Sequence, residues 1–267
     1  MISFLFIIFE IGHFKHQNEI IPESKLNAIE YHEFSQVLEC PPIPDHFTNY
    51  SDGSNPRDNN AYICNLVGKY YIIYKSQVLI YSCTFQFQKS DKYDSYGPIQ
   101  IVLNQGYDDY VVEYSEINNC KFINNSVGHG GGIYINDNKN MKYKVNITNC
   151  LFENNDVQHF GGAIYITSAT VIINGCHFIN NLAVNGVGDE IYYFSKIYSS
   201  ISIENCIFER SVPEEKETAM INCYSYTGYT YAINFINNYI IISEDLKVHL
   251  FKFPEVKIQL VLNFSGN

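Results

Sequence analysis

The chain has 267 residues, 46% of them hydrophobic and 17% charged, enough apolar material to fill one large core or two small ones. Aromatic residues make up 15%, all of them Tyr (23) or Phe (18), a balance that favours strands over helices. A formal net charge of −11 and only two arginines, Arg57 and Arg210, argue against nucleic acid and against a bidentate phosphate clamp.

The chain opens on MISFLFIIF, which reads either as a short, weak signal peptide or as a buried N-terminal strand. A positive n-region is missing, Glu10 interrupts early, and no small-x-small cleavage site follows. No apolar run approaches the length of about 18 residues that a transmembrane helix needs. Residues 1–60, which include Cys40-Pro41-Pro42 and the stretch SDGSNPRDNN, read as an N-terminal cap and loop.

Repeats begin at about residue 61. Cys83, Cys120, Cys150, Cys176 and Cys206 are each followed two residues later by Phe85, Phe122, Phe152, Phe178 and Phe208, at spacings of 37, 30, 26 and 30 residues. Asn125, Asn155 and Asn181 follow three after the Phe; Gln88 and Ser211 stand there in the first and fifth units. INFINN reads as a degenerate copy with Ile233 at the Cys position, Phe235 and Asn238. Before each Cys runs an alternating strand (Val78/Ile80, Val145/Ile147, Val171/Ile173, Ile201/Ile203). After each Asn come a loop and another apolar strand: Ile133-Tyr134-Ile135, Ile164-Tyr165-Ile166 and Ile191-Tyr192-Tyr193. Ala219-Met220-Ile221 and Tyr71-Ile72-Ile73 fill the same slot in the flanking units.

A unit this short cannot bury its own apolar face and must stack on its neighbours, strand over equivalent strand. The pattern predicts an all-β, single-stranded parallel β-helix (a β-solenoid) of about six coils over 61–245, with an N-terminal cap and a C-terminal capping strand within 246–267. Cys and Phe, two apart, face the same way, so they form inward ladders; the residue between them varies freely, as an outward position does. The inward Asn bonds to turn backbone and to the Asn of the next coil. Gly130-Gly131 and Gly161-Gly162 make tight corners.

C-x-F-x-x-N followed by GGAI resembles the polymorphic outer membrane protein repeat of chlamydial and trichomonad surface proteins. CKFINN…GGGIYI and CLFENN…GGAIYI carry the resemblance and CHFINN…GDEIYY follows more weakly, over 119–193 with degenerate flanks to roughly 78–240. The resemblance implies a right-handed β-helix of pectin-lyase-like architecture at the cell surface or secreted. Asp189-Glu190 depart from it by replacing the second glycine and the alanine.

Lyases and hydrolases of that architecture need converging carboxylates beside a basic residue. Asp108-Asp109, Asp137, Asp156 and Asp189-Glu190 are scattered over different turns, so no catalytic residue is assigned. His129 and His159 stack on neighbouring coils, but the next coil offers Asn185 there, so neither a metal nor any other cofactor is expected. The cysteine spacing is the coil period and does not spell zinc; Cys40 and Cys64 lie outside the ladder and pair if the protein is exported. Glycosylation sequons occur at Asn49, Asn124, Asn146 and Asn263, with Asn146 facing solvent. The expected function is non-enzymatic adhesion to a host-cell surface or an extracellular glycan. The alternatives are a pectin-lyase-like carbohydrate-active enzyme and a degenerate fragment of a larger surface protein.

Overall fold

Short runs of alternating inward and outward residues, each ended by a turn, give strands too short to form a core alone, and they stack in parallel. The computed structural model describes residues 39–50, 60–68, 72–74, 77–102, 115–137, 144–195, 199–211, 219–225, 232–243 and 249–252. All strands pair in parallel, and the described residues contain no helix.

Three long sheets make the faces of the solenoid. Face 1 holds Thr48–Asn49, Ala61–Cys64, Val78–Tyr81, Ser115–Asn118, Lys144–Thr148, Thr170–Asn174, Ser200–Glu204 and Ala232–Ile236. Face 2 holds Val67–Gly68, Thr84–Gln86, Lys121–Ile123, Leu151–Glu153, His177–Ile179, Ile207–Arg210 and Tyr239–Ile242. Face 3 holds Ile72–Tyr74, Ile99–Val102, Ile133–Asn136, Ile164–Thr167, Ile191–Ser195, Ala219–Ser225 and His249–Lys252. Faces 2 and 3 each have 7 strands among the described residues, so the solenoid has seven courses where about six were expected. The additional course reaches residue 252 because His249–Lys252 pairs with Ala219–Ser225. The signal-peptide reading of 1–9 and the strand VKIQLVLNF lie outside the described residues.

The register follows the repeat. Phe85, Phe122, Phe152, Phe178 and Phe208 are fully buried, with successive ring centroids 5.3, 4.8, 5.0 and 4.8 Å apart and planes within 11°. Burying each ring contributes about 2–3 kcal/mol of hydrophobic stabilisation, and the offset stack adds to it. Cys83, Cys120, Cys150, Cys176, Cys206 and Cys223 are free and buried. The ladder thiols also join courses: the Cys150 and Cys176 amides donate to the sulfurs of Cys176 and Cys206, each at 3.4 Å.

Four assignments shift in three dimensions. Cys206 N–H donates to Asn238 Oδ1 at 2.8 Å, and Ile207 pairs with Tyr239, so Asn238, not Ile233, occupies the Cys position of the last course. The amide oxygen there takes over the acceptor role of the sulfur. The flanking Ile-Tyr-Ile slots move: in the sixth course the slot is Ile221-Asn222-Cys223, because Ile191 pairs with Ile221 and Tyr193 with Cys223, and in the first it is Ile72-Ile73-Tyr74, because Ile72 pairs with Ile99 and Ile99 with Ile133. In the unit after Cys206 the strand runs one residue further, so Ser211 points outward and Arg210 turns into the core. Finally, the segment after the ladder Asn is not a loop. Ser126–His129, Asp156–Phe160 and Leu182–Ala183 form a short fourth sheet, because Val127, Val157 and Ala183 share a small apolar cluster.

Face-2 strands are entered through left-handed backbone, and the strands of the central courses also end in it. Asn119, Asn149, Gly175, Asn205 and Asn237 precede the Cys position with φ between 51° and 64°, and Asn124, Asn154 and Asn180 precede the ladder Asn with φ of 49–54°. Asparagine and glycine tolerate this region best. The doubled Asn in FINN and FENN thus serves two purposes, one residue for the turn and one for the core.

At the corner into face 3, a Cβ on Gly162 would lie 1.9 Å from the Asp189 carbonyl oxygen and 2.6 Å from the Leu182 amide. Both obstacles are backbone of the next course and cannot rotate away. Gly162→Ala is expected to cost about 3 kcal/mol in equilibrium denaturation, the upper range for overpacking; a change within error would show that the corner can spread.

Candidate functional site

Outward positions of face 3 carry an aromatic row. Gln100, Tyr134, Tyr165, Tyr192 and Asn222 are register partners on successive strands. Alternation explains their direction: each Tyr lies between two inward residues, such as Ile133 and Ile135. The Tyr134–Tyr165 and Tyr165–Tyr192 centroids are 5.1 and 5.2 Å apart.

Two further groups widen the row into a patch. Phe160, at the end of its fourth-sheet strand, stacks on Tyr192 at 4.7 Å. On the other side, the segment 90–96 folds across the fourth sheet. His129 N–H donates to the Ser95 carbonyl at 2.9 Å and Gly128 N–H to Ser95 Oγ at 2.8 Å. Gly128 makes this approach possible, since a Cβ there would sit 2.3 Å from the Tyr93 carbonyl oxygen. Tyr96 then stacks on Tyr134 at 4.0 Å, and Tyr93, 63% exposed, lies over His159 at 4.1 Å.

The ring row carries no formal charge, while exposed Asp91, Lys92 and Asp94 flank Tyr93. Burial, and then the neighbouring His159, push the His129 imidazole down to about 4 against an upward pull from Asp94. Burial also pushes the phenols of Tyr134, Tyr165 and Tyr192 up. At neutral pH the half-buried Tyr165 and Tyr192 therefore offer ring faces and phenolic O–H groups, beside the buried, uncharged His129 imidazole. Such a surface can stack against flat or hydroxylated partners.

His129 and His159 come together at 5.1 Å between centroids, but as strand residues inside an aromatic stack and not as loop residues. No group of three or more His, Cys, Asp or Glu side chains able to hold a metal ion occurs among the described residues.

The second polar centre is internal. Asn125, Asn155 and Asn181 are fully buried. Asn125 Nδ2 donates to Asn155 Oδ1, and Asn155 Nδ2 to Asn181 Oδ1, each at 2.8 Å. Gln88 joins through its backbone N–H, which donates to Asn125 Oδ1 at 3.0 Å. At the other end Asn181 Nδ2 donates to Glu190 Oε2 at 2.6 Å. Arg210 meets Glu190 at 3.4 Å and Asp189 at 3.5 Å, with all three side chains at most 2% exposed. Two carboxylates and a guanidinium thus converge inside the wall, at most 2% exposed.

The other carboxylates stay apart: Asp137 is buried at the end of a face-3 strand, Asp156 is exposed on the fourth sheet, and Asp108-Asp109 lie outside the described residues. Of the sequons, Asn49 and Asn124 are exposed; Asn146 is a half-buried outward residue between Glu116 and Ile172; Asn263 lies outside the described residues. Cys40 is disulfide-bonded to Cys64.

The outward tyrosines and the turn residues are the contact candidates that the sequence offers, with no choice among them; the stacked register singles out those of Ile-Tyr-Ile. The signal was present, since Tyr recurs at the same outward position in three units. The contribution of Tyr93 and Tyr96 had no such signal, because it depends on where an irregular segment folds back. The chain matches no protein-family model, no curated protein and no solved structure.

Proposed function

We propose that this chain is a non-enzymatic β-solenoid acting at the cell surface or after secretion, where it adheres to a host-cell surface or an extracellular glycan through the aromatic patch of face 3. The observation that carries this reading is the uncharged row of Tyr134, Tyr165 and Tyr192, extended by Tyr93, Tyr96 and Phe160, on a chain whose net charge is −11. Partners with apolar ring faces and hydroxyls suit such a row better than anions do. Kinship with the polymorphic outer membrane protein repeat, and with it a right-handed pectin-lyase-like architecture, belongs to the same proposal. It is supported by the structural duties of C-x-F-x-x-N and the glycine corner. The Cys40–Cys64 disulfide favours an oxidising compartment. Adhesion is preferred over carbohydrate chemistry because the carboxylates that converge, Asp189 and Glu190, are sealed in the core.

The test is binding of the purified chain to neutral glycans and to intact host cells, with Tyr93→Ala/Tyr165→Ala as the comparison. Each lost stacking ring is worth about 1 kcal/mol, so the double variant should bind roughly 30-fold more weakly with unchanged circular dichroism. Binding by wild type and variant alike would move the contact elsewhere, and no binding to either target would sink the adhesion reading.

A further inference from the structure

Residues 40–47 lie across the outward side of the first courses of face 1, and Thr48–Asn49 pairs along its edge. Alternation makes Tyr62 and Cys64 outward residues of Ala61–Cys64, and Leu79 and Tyr81 outward residues of Val78–Tyr81, opposite inward Ile63, Val78 and Ile80. Outward positions further along this face are mostly polar (Glu116, Asn118, Asn146, Thr148, Ser202, Glu204), with Ile172 an exception. Yet Tyr62 and Leu79 are only 2% and 6% exposed, because Phe47 packs with them and with Cys64 and Tyr81 in a cluster separate from the main core.

The covering segment is held by few ties. Thr48 and Tyr50 N–H groups donate to the carbonyls of Asn60 and Tyr62 at 3.0 and 2.9 Å, and Tyr62 Oη donates to the Pro41 carbonyl at 2.6 Å. Tyr50 also packs against the main core, Asn65 Nδ2 donates to Cys40 Sγ at 3.1 Å, and the covalent tie is the Cys40–Cys64 disulfide. Cys40 is exposed while Cys64 is buried, so a soluble thiol has one sulfur to attack. The other six cysteines are buried thiols, which leaves this pair as the single target of a reductant.

We propose that residues 39–50 form a redox-latched strap, closed by the Cys40–Cys64 disulfide and opened by a dithiol, which uncovers the Tyr62–Leu79–Tyr81 surface and the edge of strand Ala61–Cys64. The thiolate of the dithiol attacks Cys40 Sγ, forming a mixed disulfide as the Cys64 thiolate leaves and takes up a proton. The second thiol of the reagent, once deprotonated, closes on the first sulfur and expels the Cys40 thiolate, which is protonated in turn. The protein disulfide is reduced to two thiols, and the dithiol is oxidised to its cyclic disulfide. With the latch gone, the short pairing of Thr48–Asn49 with Ala61–Tyr62, the Tyr62 phenol bond and the packing of Phe47 and Tyr50 must hold twelve residues against the entropy they lose on ordering.

The test is hydrogen exchange and limited proteolysis of the full chain, with and without dithiothreitol at pH 7.5, with reduction of the pair verified by alkylation. Opening predicts that amides of 61–64 and the strap exchange at least tenfold faster after reduction and that cleavage appears within 39–50, while 145–148 and 171–174 keep their protection. Cys40→Ser/Cys64→Ser should match the reduced protein and ignore the reagent. Unchanged exchange at 61–64 after verified reduction would overturn the proposal, and so would a uniform gain across all courses, which marks a global staple. Eight free thiols in the untreated denatured chain would overturn it as well. If the double variant fails to fold, the comparison of oxidised with reduced wild type still decides.

Discussion

Arg210→Met is expected to destabilise the protein by about 3–5 kcal/mol, the cost of leaving buried charges without their partner. Asp189 and Glu190 have no exposed side-chain surface, and the guanidinium approaches both at 3.5 and 3.4 Å. Desolvation makes an unpaired carboxylate there far more costly than one at the surface. The same physics predicts a rescue. Asp189 and Glu190 replace Gly162 and Ala163 of the preceding course, as Ile164 pairs with Ile191. Asp189→Gly/Glu190→Ala/Arg210→Met removes all three charges together and should recover most of the loss, since a buried ion cluster seldom outperforms apolar packing. Urea or guanidinium denaturation of the single and triple variants gives the comparison. A single variant within about 1 kcal/mol of wild type would mean that water reaches the cluster.

Asn155→Ala should cost about 4 kcal/mol by the same measurement. Asn155 Oδ1 accepts from the backbone N–H of Asn125 at 3.1 Å and from its side chain at 2.8 Å. Asn155 Nδ2 donates to the Phe122 carbonyl at 2.9 Å and to Asn181 Oδ1 at 2.8 Å. Truncation strands the Asn125 N–H and the Phe122 carbonyl in the core and takes one partner each from Asn125 Nδ2 and Asn181 Oδ1, which keep the Phe85 carbonyl and the backbone N–H at 155; each buried orphan costs about 1–3 kcal/mol. The adjacent Asn154 provides the control. It is exposed, at φ 51°, and its duty is conformational. Asn154→Gly should change stability by less than about 1 kcal/mol, since glycine adopts the left-handed region freely. Equal losses at 154 and 155 would contradict the division of labour between the paired asparagines.

How far the sequence carries is visible in these two sites. The Asn155 ladder is legible from repetition, because a stacked solenoid places like residue over like and the pairing of equals needs no coordinates. Arg210 is illegible by the same logic. The repeat assigns Ser211 to the ladder position, and only the unturned backbone at 210 sends the longer side chain inward to the carboxylates. INFINN misleads in a related way. Its letters imitate the Phe-x-x-Asn motif, yet pairing of Ile201 with Ile233 places it one strand earlier on face 1.

By itself, the sequence determined the all-β class, the parallel stacking and the inward ladders of Cys, Phe and Asn. All three follow from a local period of two within a repeat of 26–37 residues. Tertiary structure alone decided the surface and the exceptions: how Tyr93 and Tyr96 join the face-3 row, how Arg210 neutralises the broken glycine corner, and how the 39–50 strap covers an apolar patch. The reason is physical. Repetition encodes contacts between equivalent residues, whereas these contacts join residues that are not equivalent, and their geometry exists only once the courses are stacked.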